Sequence, residues 1–243
     1  MATRLALFDI GRTLVRGDPA LLFAAHLRAS GRFHAEAWRR MEEALADYRA
    51  GRDPDRAVEA ANAAFAAAFA GLTPDELEGW AREGVRDALA AHYYPYARPL
   101  LALFRGRGYR TVAVTGVADP LASLLGEDLG ADETFATRLE VADGRLTGAT
   151  RFEGGEGWKR RRVEALLERS DPATAFAFGD SAADLPLLVR VGHPVVLNPQ
   201  PAFEARVRAM GWPVLHEGED VEAFVRAAFA RPPWNEDAAV AGG

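Results

Sequence analysis

The chain has 243 residues, 49% of them hydrophobic and 26% charged, which is the composition of a folded protein with room for one large domain or two modest ones. A net charge of −6 supplies no positive field to draw in nucleic acid or an anionic membrane surface. Cysteine is absent, which excludes disulfides, thiolate nucleophiles and Cys-ligated zinc, and the five histidines show no His-x-x-x-His spacing, so carboxylates are left to carry any chemistry.

Arg4 leads into Leu-Ala-Leu-Phe before Asp9, a short apolar run of the kind found in a strand buried on both faces. From Asp18 to His92 the apolar spacing becomes helical, with breaks near Gly31, Asp53-Pro54 and Thr73-Pro74, which predicts four helices in a row. Thr73, Pro74 and Glu76 form a capping-box start for the last of them. The uncharged run Ala60 to Pro74 covers fifteen residues, short of the ~20 a membrane span needs, and reads as a buried helix. No apolar block near the N-terminus has the length of a signal peptide, so a cytoplasmic location is expected.

After Tyr93 the pattern alternates helix and strand, the signature of parallel βαβ units. A helix to Phe104 precedes a strand at Arg110 to Val114, and Pro120 to Leu129 is helical. Thr137 to Thr150 reads as a hairpin turning at Asp143-Gly144, and Trp158 to Glu168 as a helix. Thr174 to Phe178, Pro194 to Leu197 and a short stretch after Pro213 are strands, with a helix at Ala182 to Val191. The expected fold is a doubly wound, Rossmann-like α/β parallel sheet with an all-helical cap inserted after strand one. Residues 1–16 and 93–230 form the core, 17–92 the cap and 231–243 a loose tail.

Sites in open α/β sheets lie at the carboxyl ends of the strands. Those ends offer Phe8-Asp9-Ile10-Gly11-Arg12-Thr13-Leu14, Val114-Thr115-Gly116 and Gly179-Asp180-Ser181-Ala182-Ala183-Asp184. Lys159 opens the helix between the last two, and it is the single lysine among 29 Lys and Arg residues. Singly, Asp9 and Thr115 each have a structural role as turn or helix caps. Asp180 and Asp184, four apart, are read as sharing a helix face, where like charges repel unless a cation intervenes. Together the residues suit phosphoryl transfer. Mg²⁺ between Asp9 and Asp180 would offset carboxylate and phosphate charge, while Thr115, Lys159 and backbone N–H groups after Asp9 would hold the phosphate oxygens.

At these residues the sequence resembles the haloacid dehalogenase superfamily, in its phosphoserine-phosphatase-like branch with a helical cap after strand one. The resemblance also runs through Thr137 to Gly148, Gly192-His193-Pro194 to Pro199, and Gly211-Trp212-Pro213. It implies that Asp9 is a nucleophile forming an aspartyl phosphate, with Thr115 and Lys159 as its catalytic phosphate ligands. Thr13, Gly116 and Gly11 would contact substrate. Asp9, the Gly11 carbonyl, Asp180 and Asp184 would hold Mg²⁺, and the substrate would be a small phosphorylated metabolite.

The family's first motif, Asp-x-Asp-x-Thr, is departed from once: its second aspartate, the acid/base, is Gly11 here. A group of that kind is typically worth about 10²–10⁴-fold in rate. Three alternatives stay open at this point. One is a slow or inactive relative that binds a phosphorylated ligand, and another is dehalogenase-type chemistry at Asp9. The third is a serine hydrolase built on Gly179-Asp180-Ser181-Ala182-Ala183, for which His216 and Asp220 follow in the wrong order. Arg28, Arg32, Arg39, Arg40, Arg49, Arg52 and Arg56 are candidate cations for a substrate carboxylate or second phosphate, and the sequence does not say which of them turn inward.

Overall fold

The computed structural model describes residues 3–49, 52, 54–151 and 157–235. Strand β1 is Arg4–Phe8, and Leu5 to Phe8 are all buried, as a central parallel strand covered on both faces requires. Helices α1 (Pro19–Ala29), α2 (Ala35–Arg49), α3 (Pro54–Ala67) and α4 (Pro74–Gly84) follow, and α4 continues through one π turn and one 3₁₀ turn to His92. These are the four helices the spacing predicts. Asp18 starts α1 by accepting from the Leu21 N–H at 2.9 Å, with Pro19 at the first helical position. The capping box of α4 is present, Thr73 and Glu76 exchanging hydrogen bonds in both directions.

The uncharged run does not form one helix. α3 ends at Ala67, because Gly71 takes a left-handed φ of +87° and Thr73 caps the next helix. Phe65 of α3 and Phe69 of the turn after it pack with Phe23 and Phe33, ring centroids 4.8 to 6.4 Å apart, joining α1, α3 and the turns beside them.

The remainder is α5 (Ala97–Gly106), β2 (Tyr109–Ala118), α6 (Leu121–Leu129), β3 (Glu133–Ala142), β4 (Arg145–Arg151), α7 (Trp158–Leu167), β5 (Phe176–Gly179), α8 (Leu185–Leu188), β6 (His193–Leu197), α9 (Pro201–Ala209), β7 (Val214–Leu215) and α10 (Val221–Ala228). The sheet order is β4-β3-β2-β1-β5-β6-β7, parallel throughout except at the β3–β4 hairpin. That hairpin turns at Asp143 and Gly144, both at positive φ, as a two-residue loop of this chemistry demands. One sheet face packs α5, α6 and α10 around Phe8, Phe104 and Phe178 and continues into the helices between β1 and β2. The other face packs α7, α8 and α9 around Leu7, Val114 and Val196. The fold is the α/β, Rossmann-like arrangement expected. Within the stretch expected to be loose, Trp234 and Asn235 are tied to Gly192, Trp212 and Leu188, and 236–243 lie outside the described residues.

Candidate active site

β1 and β5 are neighbours, and Phe8 pairs with Phe178, so Asp9 and Asp180 leave adjacent strand ends on the same side. The Asp9 N–H donates to Phe178 O at 2.9 Å, which continues the ladder one residue and fixes the carboxylate's direction. On the other flank Phe8 pairs with Ala113 of β2, which brings Thr115 to the same edge. β2 is longer than the apolar run predicts, reaching Ala118, so Thr115 and Gly116 lie inside it rather than beyond it. Its register against β3 shifts between Val114 and Ala118, however, so Thr115 to Val117 form the irregular part of the pairing.

Lys159 stands in the first turn of α7 and reaches across to both sides of the site. Its Nζ donates to Asp9 Oδ1 at 3.1 Å and to Asp184 Oδ1 at 3.0 Å. The other Asp184 oxygen, Oδ2, accepts from the Asp180 N–H at 3.1 Å, the Ser181 N–H at 3.2 Å and the Ser181 hydroxyl at 3.1 Å. Asp180 and Asp184 therefore do not share a helix face. A 3₁₀ turn over Ala182–Asp184 intervenes, and Asp184 curls back to order the loop that carries Asp180. Gly179 permits this, since a Cβ there would sit 2.5 Å from the Asp184 Cβ.

Asp9, Asp180 and Asp184 are all buried, and one carboxylate oxygen from each lies within 4.8 Å of the others. Burial, then repulsion from Asp184, pushes the Asp9 carboxyl up to about 7, against the pull of Lys159. Burial and the two other carboxylates likewise raise Asp180 well above the usual range, with Arg12 and Lys159 opposing. Burial works against the Lys159 charge, but Asp184 and Asp9 outweigh it and lift its pKa above the ordinary lysine value. Three close acids with one ammonium between them hold an excess of negative charge, and their hard oxygens suit a divalent cation such as Mg²⁺.

Removing the ammonium should be costly. In metal-free protein Lys159→Met is expected to lower stability by about 3–5 kcal/mol near pH 8, because it leaves buried carboxylates without their partner. Carboxyls whose folded pKa is raised keep protons that the unfolded chain would release, so their cost to stability grows as pH rises from the unfolded value of about 4 towards 7 and above. The deficit should therefore shrink markedly near pH 6. Urea unfolding in EDTA at both pH values measures this, and an equal deficit at the two would contradict it.

These residues line one cavity of about 230 Å³, bounded by Asp9, Gly11, Thr115, Gly116, Lys159, Asp180 and Asp184 on the sheet side and by α1, α2 and α3 opposite. Of the motif residues expected to bind metal or phosphate, Thr13 alone is not in its wall. Thr13 is fully buried beneath the loop, its hydroxyl without a hydrogen-bond partner and its carbonyl accepting from the Tyr96 hydroxyl at 2.8 Å. Gly11 lines the cavity without a left-handed φ. The strained residue is its neighbour Arg12, at φ +58°, whose guanidinium comes within 4.0 Å of Asp180.

Of the wall residues that escaped the sequence reading, two contact the site's own groups. Arg12 is one. The other is Asn62 of α3, whose amide donates to Gly116 O at 3.1 Å while Thr137 donates to the same carbonyl at 2.9 Å. A lone amide in the uncharged run Ala60 to Pro74 was the available signal. Ser181, the serine of the elbow-like motif, donates to Asp184, and among the described residues no histidine lines this cavity. His216 is 3.3 Å from Glu204 and outside this cavity.

A buried acid trio, two of its carboxylates bound to one ammonium, where a parallel sheet turns from building one flank to building the other, marks the ligand site of a Rossmann-like α/β protein. The chain belongs to the haloacid dehalogenase-like hydrolase family, whose family model matches residues 6–189. Among its relatives is the "Inhibition of morphological differentiation protein" of Streptomyces azureus, 28% identical over 94% of this chain and 84% of the relative. The histidinol-phosphatase of Neisseria meningitidis serogroup C is 27% identical over 87% of this chain and 98% of that protein. A solved phosphoserine phosphatase, an analogue of its phospho-aspartyl intermediate, superposes with a TM-score of 0.68 over 93% of this chain and 99% of its own. At 20% identity it shares the fold. The protein is a hydrolase of this family with phosphatases among its relatives, and no helix among the described residues is long and apolar enough to cross a membrane.

Proposed function

We propose that the protein is a Mg²⁺-dependent phosphatase that cleaves a small phosphomonoester through an aspartyl phosphate on Asp9, slowed by glycine at position 11. The observation that carries this reading is the convergence of Asp9, Thr115, Lys159 and Asp180 on one cavity, with Lys159 at hydrogen-bond distance from the carboxylate that would attack. The Asp9 and Asp180 carboxylates and the Gly11 carbonyl would hold Mg²⁺, and Asp184 would orient the loop and Lys159 through the bonds it already makes. The metal supplies charge neutralisation of phosphate and carboxylate when bound.

Asp9 Oδ attacks phosphorus, the P–O bond to the leaving group breaks, and water later cleaves the acyl phosphate to return Asp9 and release phosphate. Lys159 and the Thr115 hydroxyl bind the equatorial oxygens as charge builds on them. Residues 17–92, lying between β1 and β2, act as a cap over the cavity, closing water out above the core formed by 1–16 and 93–230. Asn62 connects the two by holding the Gly116 carbonyl. A small phosphorylated metabolite, met in the cytoplasm, is the natural occupant.

The test is a panel of phosphomonoesters with and without Mg²⁺. Calorimetry should find Mg²⁺ binding in the wild type and a loss of at least about 10-fold in affinity for Asp180→Ala, since a buried acidic ligand is removed. Equal affinity in the two proteins would refute the metal assignment.

A further inference from the structure

The helical wall of the cavity carries acids where the sequence offers arginines. α1, α2 and α3 contribute apolar surface from Met41, Leu45, Val58 and Ala61, and two acids, Asp18 and Glu59. Among the described residues, none of the arginines of α1 to α3 lines the cavity. Arg28 lies over the Trp38 ring, Arg32 forms a two-pronged pair with Glu83, Arg39 and Arg40 pair with Glu36, and Arg52 pairs with Asp47. Arg56 has an interaction of its own, and the side chain of Arg49 lies outside the described residues.

Asp18 already accepts a hydrogen bond at the start of α1, whereas Glu59 makes no ion pair or hydrogen bond among the described residues. Glu59 and Asn62 stand three apart on α3, on one face of the helix. The Asn62 nitrogen is committed to Gly116, which leaves its oxygen as an acceptor on the helix face that also carries the exposed Glu59.

Resting on the phosphatase reading above, we propose that the organic half of the substrate carries a primary ammonium on a short apolar stem, recognised by Glu59 of α3. The sheet side takes the phosphate through Lys159, Thr115 and the metal-binding acids, while the stem lies against Met41, Leu45 and Val58. The ammonium, a compact group with three donors, meets Glu59 and the Asn62 oxygen. A second carboxylate on the substrate would face Asp18 and Glu59, and among the described residues of these helices no cation lines the cavity to receive it, so acidic phosphoesters are discriminated against by repulsion.

Three esters of similar size separate these outcomes: 2-aminoethyl phosphate, n-propyl phosphate and phosphoglycolate. In the wild type with Mg²⁺, kcat/KM should fall in that order, with about a 10-fold step from amine to alkyl, the scale of one charge-assisted contact. Glu59→Gln should bring amine and alkyl esters close to parity through KM. Glu59→Lys should reverse the order of amine and carboxylate esters. Glu42→Gln, an exposed acid on α2 outside the cavity, should preserve the wild-type order.

Calorimetry of the same esters on Asp9→Asn with Mg²⁺ reads the order without turnover. If hydrolysis fails while amine still binds before alkyl and carboxylate, the catalytic reading falls and this inference stands. Equal or absent binding of the three, preference for the carboxylate, or an order unmoved by both Glu59 variants would overturn it.

Discussion

Asp9→Asn is expected to fold normally and to lose at least about 10⁴-fold in kcat on every phosphomonoester the wild type cleaves, because the amide cannot form the covalent intermediate. The substitution removes one hydrogen bond from Lys159 but also one of three crowded acids. Burial already lifts the Asp9 carboxyl to about 7, so a neutral group of the same shape suits the site and stability should not fall. Circular dichroism and urea unfolding check the fold, and steady-state kinetics the rate. Activity retained within about 10-fold in the folded variant would place the nucleophile elsewhere.

Gly11→Asp should act in the opposite direction, raising kcat on alkyl phosphates by about 10²-fold or more by supplying an acid for the leaving oxygen and a base for the attacking water. Aryl phosphates, whose leaving groups depart unprotonated, should gain mainly in the second half-reaction, so an initial burst with slow turnover becomes continuous turnover. The backbone accepts the change, since φ at Gly11 is not left-handed. The obstacle is local, because a Cβ at this position would lie 3.2 Å from Pro19 Cδ, so the first ring of α1 must yield by a few tenths of an ångström. The double variant with Pro19→Ala relieves that contact and should show the gain in full. If both variants fold and bind Mg²⁺ yet neither gains on any ester, position 11 is not the missing acid/base. A protein that binds a phosphorylated ligand without turning it over then becomes the better account.

Much of this site was legible because strand ends are. Leu5 to Phe8 are apolar on both faces, which only a central parallel strand explains, and Asp9 is the first polar residue after them. Lys159 stood out by being the one lysine in an arginine background, and its ammonium does bridge two acids. The geometry between strand ends was less accessible. A spacing of four predicts a shared helix face only where an α-helix exists. Between Asp180 and Asp184 the chain makes a 3₁₀ turn, and the repulsion expected between the two is replaced by Asp184 accepting three hydrogen bonds from the Asp180–Ser181 loop.

The helical region shows the same limit. Periodicity found its four helices, but whether an arginine turns inward depends on a partner distant in sequence, such as Glu83 for Arg32. Of the two acids these helices turn to the cavity, Glu59 carries no pattern of its own in the sequence. Asn62 is similar, since its role arises only when α3 is laid across the irregular stretch of β2.

The most direct test is to locate the phosphoryl group. Wild-type protein mixed with Mg²⁺ and an aryl phosphate, acid-quenched during the slow phase and digested, should show by peptide mass spectrometry a near-stoichiometric phosphoryl adduct on Asp9, discharged by hydroxylamine. Continued turnover with no adduct on Asp9, or with one on Ser181 instead, would contradict the account.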